Sequence, residues 1–140
     1  MNVAFLLLML LAADDRETKN DLAKFQGSWH FVSVITDGTP APSDQIKGTV
    51  LKNDGTKFTF KDPQSSGAGT FRIDASKNPR HLDITFGTGP DKGKTVPGIY
   101  RFLGDRVRVC LALPGKARPT KFEAPAGSGH VLEVLEPVKK

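Results

Sequence analysis

Apolar and polar residues alternate with a period of two along most of this chain. Val107, Val109, Leu111 and Leu113 interleave with Arg106, Arg108, Cys110 and Ala112, a period that gives a strand one apolar and one mostly polar face. The stretch before it, Thr95 to Leu103, is apolar on both faces at Ile99, Tyr100, Phe102 and Leu103, which predicts a strand set deeper than an edge. Gly104-Asp105 joins the two as a tight turn. Gly27 to Thr36 predicts a first strand with Trp29, Phe31, Ser33 and Ile35 on one face and His30, Val32, Val34 and Thr36 on the other.

Ile46 to Lys52 and Thr56 to Asp62 flank Asn53-Asp54-Gly55, residues that tolerate the backbone of a hairpin turn. Phe58 and Phe60 then share a face. Ser65 to Gly69 reads as a turn, Thr70 to Asp74 as a strand carrying Phe71 and Ile73, and His81 to Thr88 as a strand with Leu82, Ile84 and Phe86 inward. His130 to Glu136 closes the series with Leu132 and Val134 on one side. Asp21 to Phe25 is the single helix predicted, capped by Asn20 or Asp21 and covering the core with Leu22 and Phe25. Most connections are too short for the crossover that parallel neighbours require. The expectation is an all-β fold: an up-and-down antiparallel barrel of about eight strands, closed because closure removes exposed edges, with one short N-terminal helix.

At 140 residues the chain makes one domain, expected over residues 21–136 behind a flexible leader at 14–20. Lys and Arg total 20 against 15 Asp and Glu, but they are scattered, without the clustered stripe and stacking aromatics of a nucleic-acid surface. No nucleic-acid partner is expected. Met1 to Ala13 is uncharged and apolar from Val3 onward, then stops at Asp14-Asp15-Arg16-Glu17. The run falls short of the about 20 residues a membrane span needs and suits a secretory signal cleaved near Ala13. The expectation is an exported, periplasmic or extracellular protein with no stable membrane span after cleavage. Cys110 is the one cysteine, so no internal disulfide can form, and a small residue packed against the sheet is its expected role.

Gly27-Ser28-Trp29, opening the first strand after a helical turn, matches the G-x-W signature of lipocalin-like barrels. Gly69 to Phe86, Gly93 to Ala124 and Gly127 to Leu135, together with Leu22, Gly27 and Trp29, resemble the lipocalin-like domain of unknown function found mainly in planctomycete bacteria. The resemblance covers about Asp21 to Leu135. It implies a calycin-type β-barrel, often exported, without an assigned activity. One departure is that His130 to Glu136 lacks the arginine that covers the first-strand tryptophan in many lipocalins; Arg118 or a C-terminal lysine could take that place.

Candidate chemistry is sparse. Gly89 to Thr95, GPDKGKT, is one residue short of a phosphate-binding loop and is followed by Val96-Pro97-Gly98 where that motif needs a helix. It reads as a hairpin turn. His30, His81 and His130 fall on three strands with no metal-ligand spacing, so no metal or cofactor is expected. Nothing brings a histidine to Cys110 to make a nucleophile pair. The expected function is binding, without catalysis, of a small, partly apolar ligand in the barrel, lined by Trp29, Phe58, Phe60, Phe71, Phe86 and Tyr100. The alternative is a closed-core scaffold or interaction module working through its loops, and a third reading is an enzyme built on Cys110 or a histidine. Pro114 to Gly129 is long for a connection and carries Lys116, Arg118, Lys121 and Phe122. It is expected to act as a lid or anion-contacting loop, or to seal one end of the barrel with Phe122 as anchor.

Overall fold

The computed structural model describes residues 15–139; the expected signal segment, Met1 to Ala13, lies outside them. A helix, α1, runs over residues 15–25. It is followed by β1 (Gly27–Thr36), β2 (Thr39–Pro40), α2 (Ser43–Ile46), β3 (Val50–Asp54), β4 (Lys57–Lys61), β5 (Ser66–Asp74), β6 (Arg80–Phe86), β7 (Thr95–Leu103), β8 (Arg106–Ala112) and β9 (His130–Pro137). Eight strands, all but β2, pair antiparallel in sequence order, and β9 pairs back onto β1. The barrel is closed, as the alternation predicts. β2 adds two residues beside the end of β1.

The helix is longer than expected: the stretch read as a flexible leader is helical from residue 15. Thr18, Asp21, Leu22 and Phe25 are its covered positions while the rest is exposed, the three-to-four spacing of a helix with one face on a core. Neither Asn20 nor Asp21 caps it, because both lie well inside. α1 lies across one end of the barrel and is tied to the hairpin turns there. Gln26 Nε2 donates to the Gly55 carbonyl at 3.0 Å and Gln26 Oε1 accepts from the Gly55 amide at 2.7 Å, and Thr18 Oγ1 accepts from the Ala75 amide at 3.0 Å. The chain turns from helix to β1 at Gly27, whose φ of 97° suits a residue without Cβ.

Register explains where the strands depart from expectation. Pairing of β1 with β9 shifts between Phe31 and Ser33, a bulge at Val32, which is left exposed. Trp29 and Phe31 face inward. Beyond the bulge Val34 takes the inward position opposite Glu133, so Ser33 and Ile35 do not share a face with Trp29. β5 begins at Ser66, earlier than expected. Its Gly67 and Gly69 pair with Phe60 and Phe58, and a Cβ on Gly69 would stand 2.6 Å from the Phe58 ring. The glycines read as a turn are strand residues that make room for two aromatic rings. Ile46 belongs to α2 rather than β3.

The connection after β8 also departs from expectation. Residues 113–129 lie against the outer face of the sheet, where Ile99, Cys110 and Ala112 are buried together with Pro119 and Ala124 of the loop. β7 is apolar on both faces because the lumen covers one and this loop the other. The loop therefore neither lids the mouth nor seals an end.

Candidate functional site

The inner face encloses a cavity of about 320 Å³. Its closed end is built by α1. The Phe25 carbonyl, one of those a helix C-terminus leaves without an intrahelical partner, accepts Trp29 Nε1–H at 2.8 Å and Asn53 Nδ2–H at 2.8 Å, both buried. Asn53, read from the sequence as a turn residue, instead ties the β3–β4 hairpin to the helix. Beside it, the buried Asp21 carboxylate accepts the Tyr100 hydroxyl at 2.8 Å and a hydrogen bond from Arg80. Phe25 packs edge-on against Tyr100 with centroids 5.1 Å apart. The opposite end of the cavity is bounded by Thr49 and Asp62, at the ends of β3 and β4 remote from the helix.

Five of the six aromatics expected to line the lumen do so: Trp29, Phe58, Phe60, Phe71 and Phe86. Tyr100 does not. It faces inward opposite Val109 but sits at the closed end against Phe25 with its hydroxyl committed to Asp21; desolvation, and then that hydrogen bond, raises its pKa, so it offers no free hydrogen bond to a guest. The rest of the lining is largely aliphatic, with Leu51, Leu82, Ile84, Leu111 and Leu135 prominent.

Glu133 is the residue that sequence reading missed. It sits on β9 opposite Val109 of β8 and Val34 of β1, and it lines the cavity. Enclosure in this apolar wall, with no compensating charge or hydrogen bond, pushes its pKa up to about 7. The signal was in the strand: Val131, Glu133 and Leu135 alternate as regularly as Leu132 and Val134, and only the register against Val107, Val109 and Leu111 tells which set points inward.

The loop residues are dispersed. Arg118 Nη2 donates to Asp83 at 2.7 Å and its Nη1 to the Gly98 carbonyl at 2.7 Å, on the outer face and away from Trp29, so it does not cover the tryptophan as expected. Phe122 is half-exposed with Arg108 over its ring at 6.0 Å, while Pro119 is the side chain fully buried. Pro119, rather than Phe122, anchors the loop. Lys116 and Lys121 are exposed.

Cys110 is completely buried beneath that loop, its thiol donating to the Glu123 carbonyl at 3.4 Å, and burial raises its pKa. That environment disfavours the thiolate a nucleophile requires. His30, His81 and His130 lie on β1, β6 and β9, and among the described residues no cluster of His, Cys, Asp and Glu could hold a metal ion. Gly89 to Lys94 form the turn before β7, which Thr95 opens, with Gly93 N–H bonded to the Phe86 carbonyl at 2.8 Å. Compared with protein-family models, curated proteins and solved structures, the chain matches none.

Proposed function

We propose that this chain is a lipocalin-like carrier that receives a small, mostly apolar ligand in its barrel. The observation that carries the reading is the cavity itself: about 320 Å³, walled by aromatic and aliphatic side chains, closed at one end by α1 and reached from the other. A scaffold that worked only through its loops would gain most from a filled core, since each unfilled methyl-sized gap costs stability, about 1 kcal/mol. An apolar pocket with a few convergent polar groups is the usual form of a small-molecule site. A volume at the small end of such sites, filled at the density of a protein interior, suits a guest of about 10 to 15 non-hydrogen atoms.

The same proposal includes export and kinship with the planctomycete lipocalin-like domains. The uncharged apolar run Met1 to Ala13 supports the first. The G-x-W opening at Gly27 to Trp29, together with the closed eight-stranded order, supports the second.

Native mass spectrometry of protein purified from an exporting host tests the carrier reading. A co-purified small molecule, released on denaturation, is the expected result. An apo mass that stays unchanged after incubation with fatty acids, haem and isoprenoids would return the interaction-module reading.

A further inference from the structure

An acid in a greasy cavity needs a reason. Glu133 occupies the middle of β9, with Val109 and Val34 as its cross-strand neighbours. Its inward neighbours on the strand are Val131 and Leu135, and those flanking it on β8 are Val107 and Leu111. No cation faces it from these elements. The other acids near the lumen are engaged elsewhere: Asp62, at the mouth, accepts from Gln64 and Ser65, and Asp21, at the closed end, holds Tyr100 and Arg80. His30 pairs across the sheet with Glu136, on the opposite face of the strands from Glu133. Glu133 is therefore a lone acceptor, open to the cavity and lacking a partner.

Resting on the carrier reading, we infer that the ligand is an apolar amine, whose hydrocarbon body fills the aromatic lumen and whose ammonium group pairs with the Glu133 carboxylate. An ammonium supplies what the wall lacks: a charge that repays the desolvation of the carboxylate and N–H donors for its oxygens. A carboxylate ligand would bring a second negative charge into the same apolar space and is disfavoured. A neutral alcohol fills the lumen but leaves the acid uncompensated.

Titration of Glu133 gives the pairing a signature. The binding form is the carboxylate, and with a pKa near 7 about a tenth of the molecules carry it near pH 6 and about nine tenths near pH 8. Amine affinity should therefore rise about tenfold between those pH values while the amine itself stays protonated. Alcohol affinity should not rise.

Octylamine, octanol and octanoate are the probes, titrated into the full chain by calorimetry with Trp29 fluorescence in parallel, Trp29 being the one tryptophan and part of the lining. Near pH 8 octylamine is expected to bind at least about tenfold more tightly than octanol, and octanoate most weakly. Glu133→Gln should bring octylamine to the level of octanol and abolish its pH dependence, and octanol binding by the variant reports an intact lumen. Equal affinity for octylamine and octanol in the wild type would overturn the inference and leave the carrier reading standing, as would tightest binding of octanoate. Binding of none of the three would overturn both.

Discussion

Replacing Glu133 by Gln keeps the shape of the side chain and removes its titration, which makes the stability of the barrel a direct gauge of the lumen. The ordinary pKa of 4.5 describes the unfolded chain, and burial raises it to about 7 in the fold. Between these values the native state holds a proton that the unfolded state has lost, so stability falls as pH rises and the loss is complete above about pH 7. The two pKa values make the ionised carboxylate cost at most about 3 kcal/mol near pH 8 and under about 1 kcal/mol near pH 5. Water admitted to the open cavity lowers the first figure. Glu133→Gln should therefore be more stable than wild type near pH 8 by about 2 to 3 kcal/mol, and within about 1 kcal/mol of it near pH 5. Urea unfolding at both pH values, followed by Trp29 fluorescence, measures the difference, and other carboxylates cancel because both proteins carry them. A stability difference that does not change with pH would refute the placement of Glu133 in an apolar, uncompensated site.

The closed end and the wall give further expectations. Asp21→Ala strands the buried Tyr100 hydroxyl and leaves the part-exposed Arg80 with Glu17 at 3.8 Å, and should cost about 2 to 3 kcal/mol; Tyr100→Phe, which leaves Arg80 on Asp21, should cost about 1 to 2 kcal/mol, and the reverse order in urea midpoints would contradict the arrangement. Gly67 packs under the Phe60 ring, so Gly67→Ala should cost about 1 to 3 kcal/mol and less than half of that in a Phe60→Leu background. Additive costs in that double-mutant cycle would mean that the ring does not lie over the glycine.

The alternation of apolar residues was enough to specify an eight-stranded antiparallel barrel, because a period of two and short connections leave few other ways to hide one face. It also picked out five lumen aromatics, since Trp29, Phe58, Phe60, Phe71 and Phe86 each belong to a strand with one clear apolar face. Tyr100 misled because it points inward as expected, opposite Val109, yet its hydroxyl is spent on Asp21 of α1, a partner that periodicity cannot name. Glu133 was illegible because β9 is apolar on both sides of it, and the inward set is chosen by pairing with β8 across the connection of residues 113–129. The bulge at Val32, likewise, is visible only in the register of two strands at opposite ends of the chain. Residues 15–20 read as a leader because they are polar, yet Thr18 reaches the barrel by accepting a hydrogen bond from the Ala75 amide and not by hydrophobic burial.

A crystal structure of the chain grown with octylamine tests the central claim most directly. Electron density for the alkyl chain between Trp29, Phe60 and Leu135, with its nitrogen against Glu133, is the result expected. A lumen filled by its own side chains, or octylamine found only on the outer surface, would contradict the account.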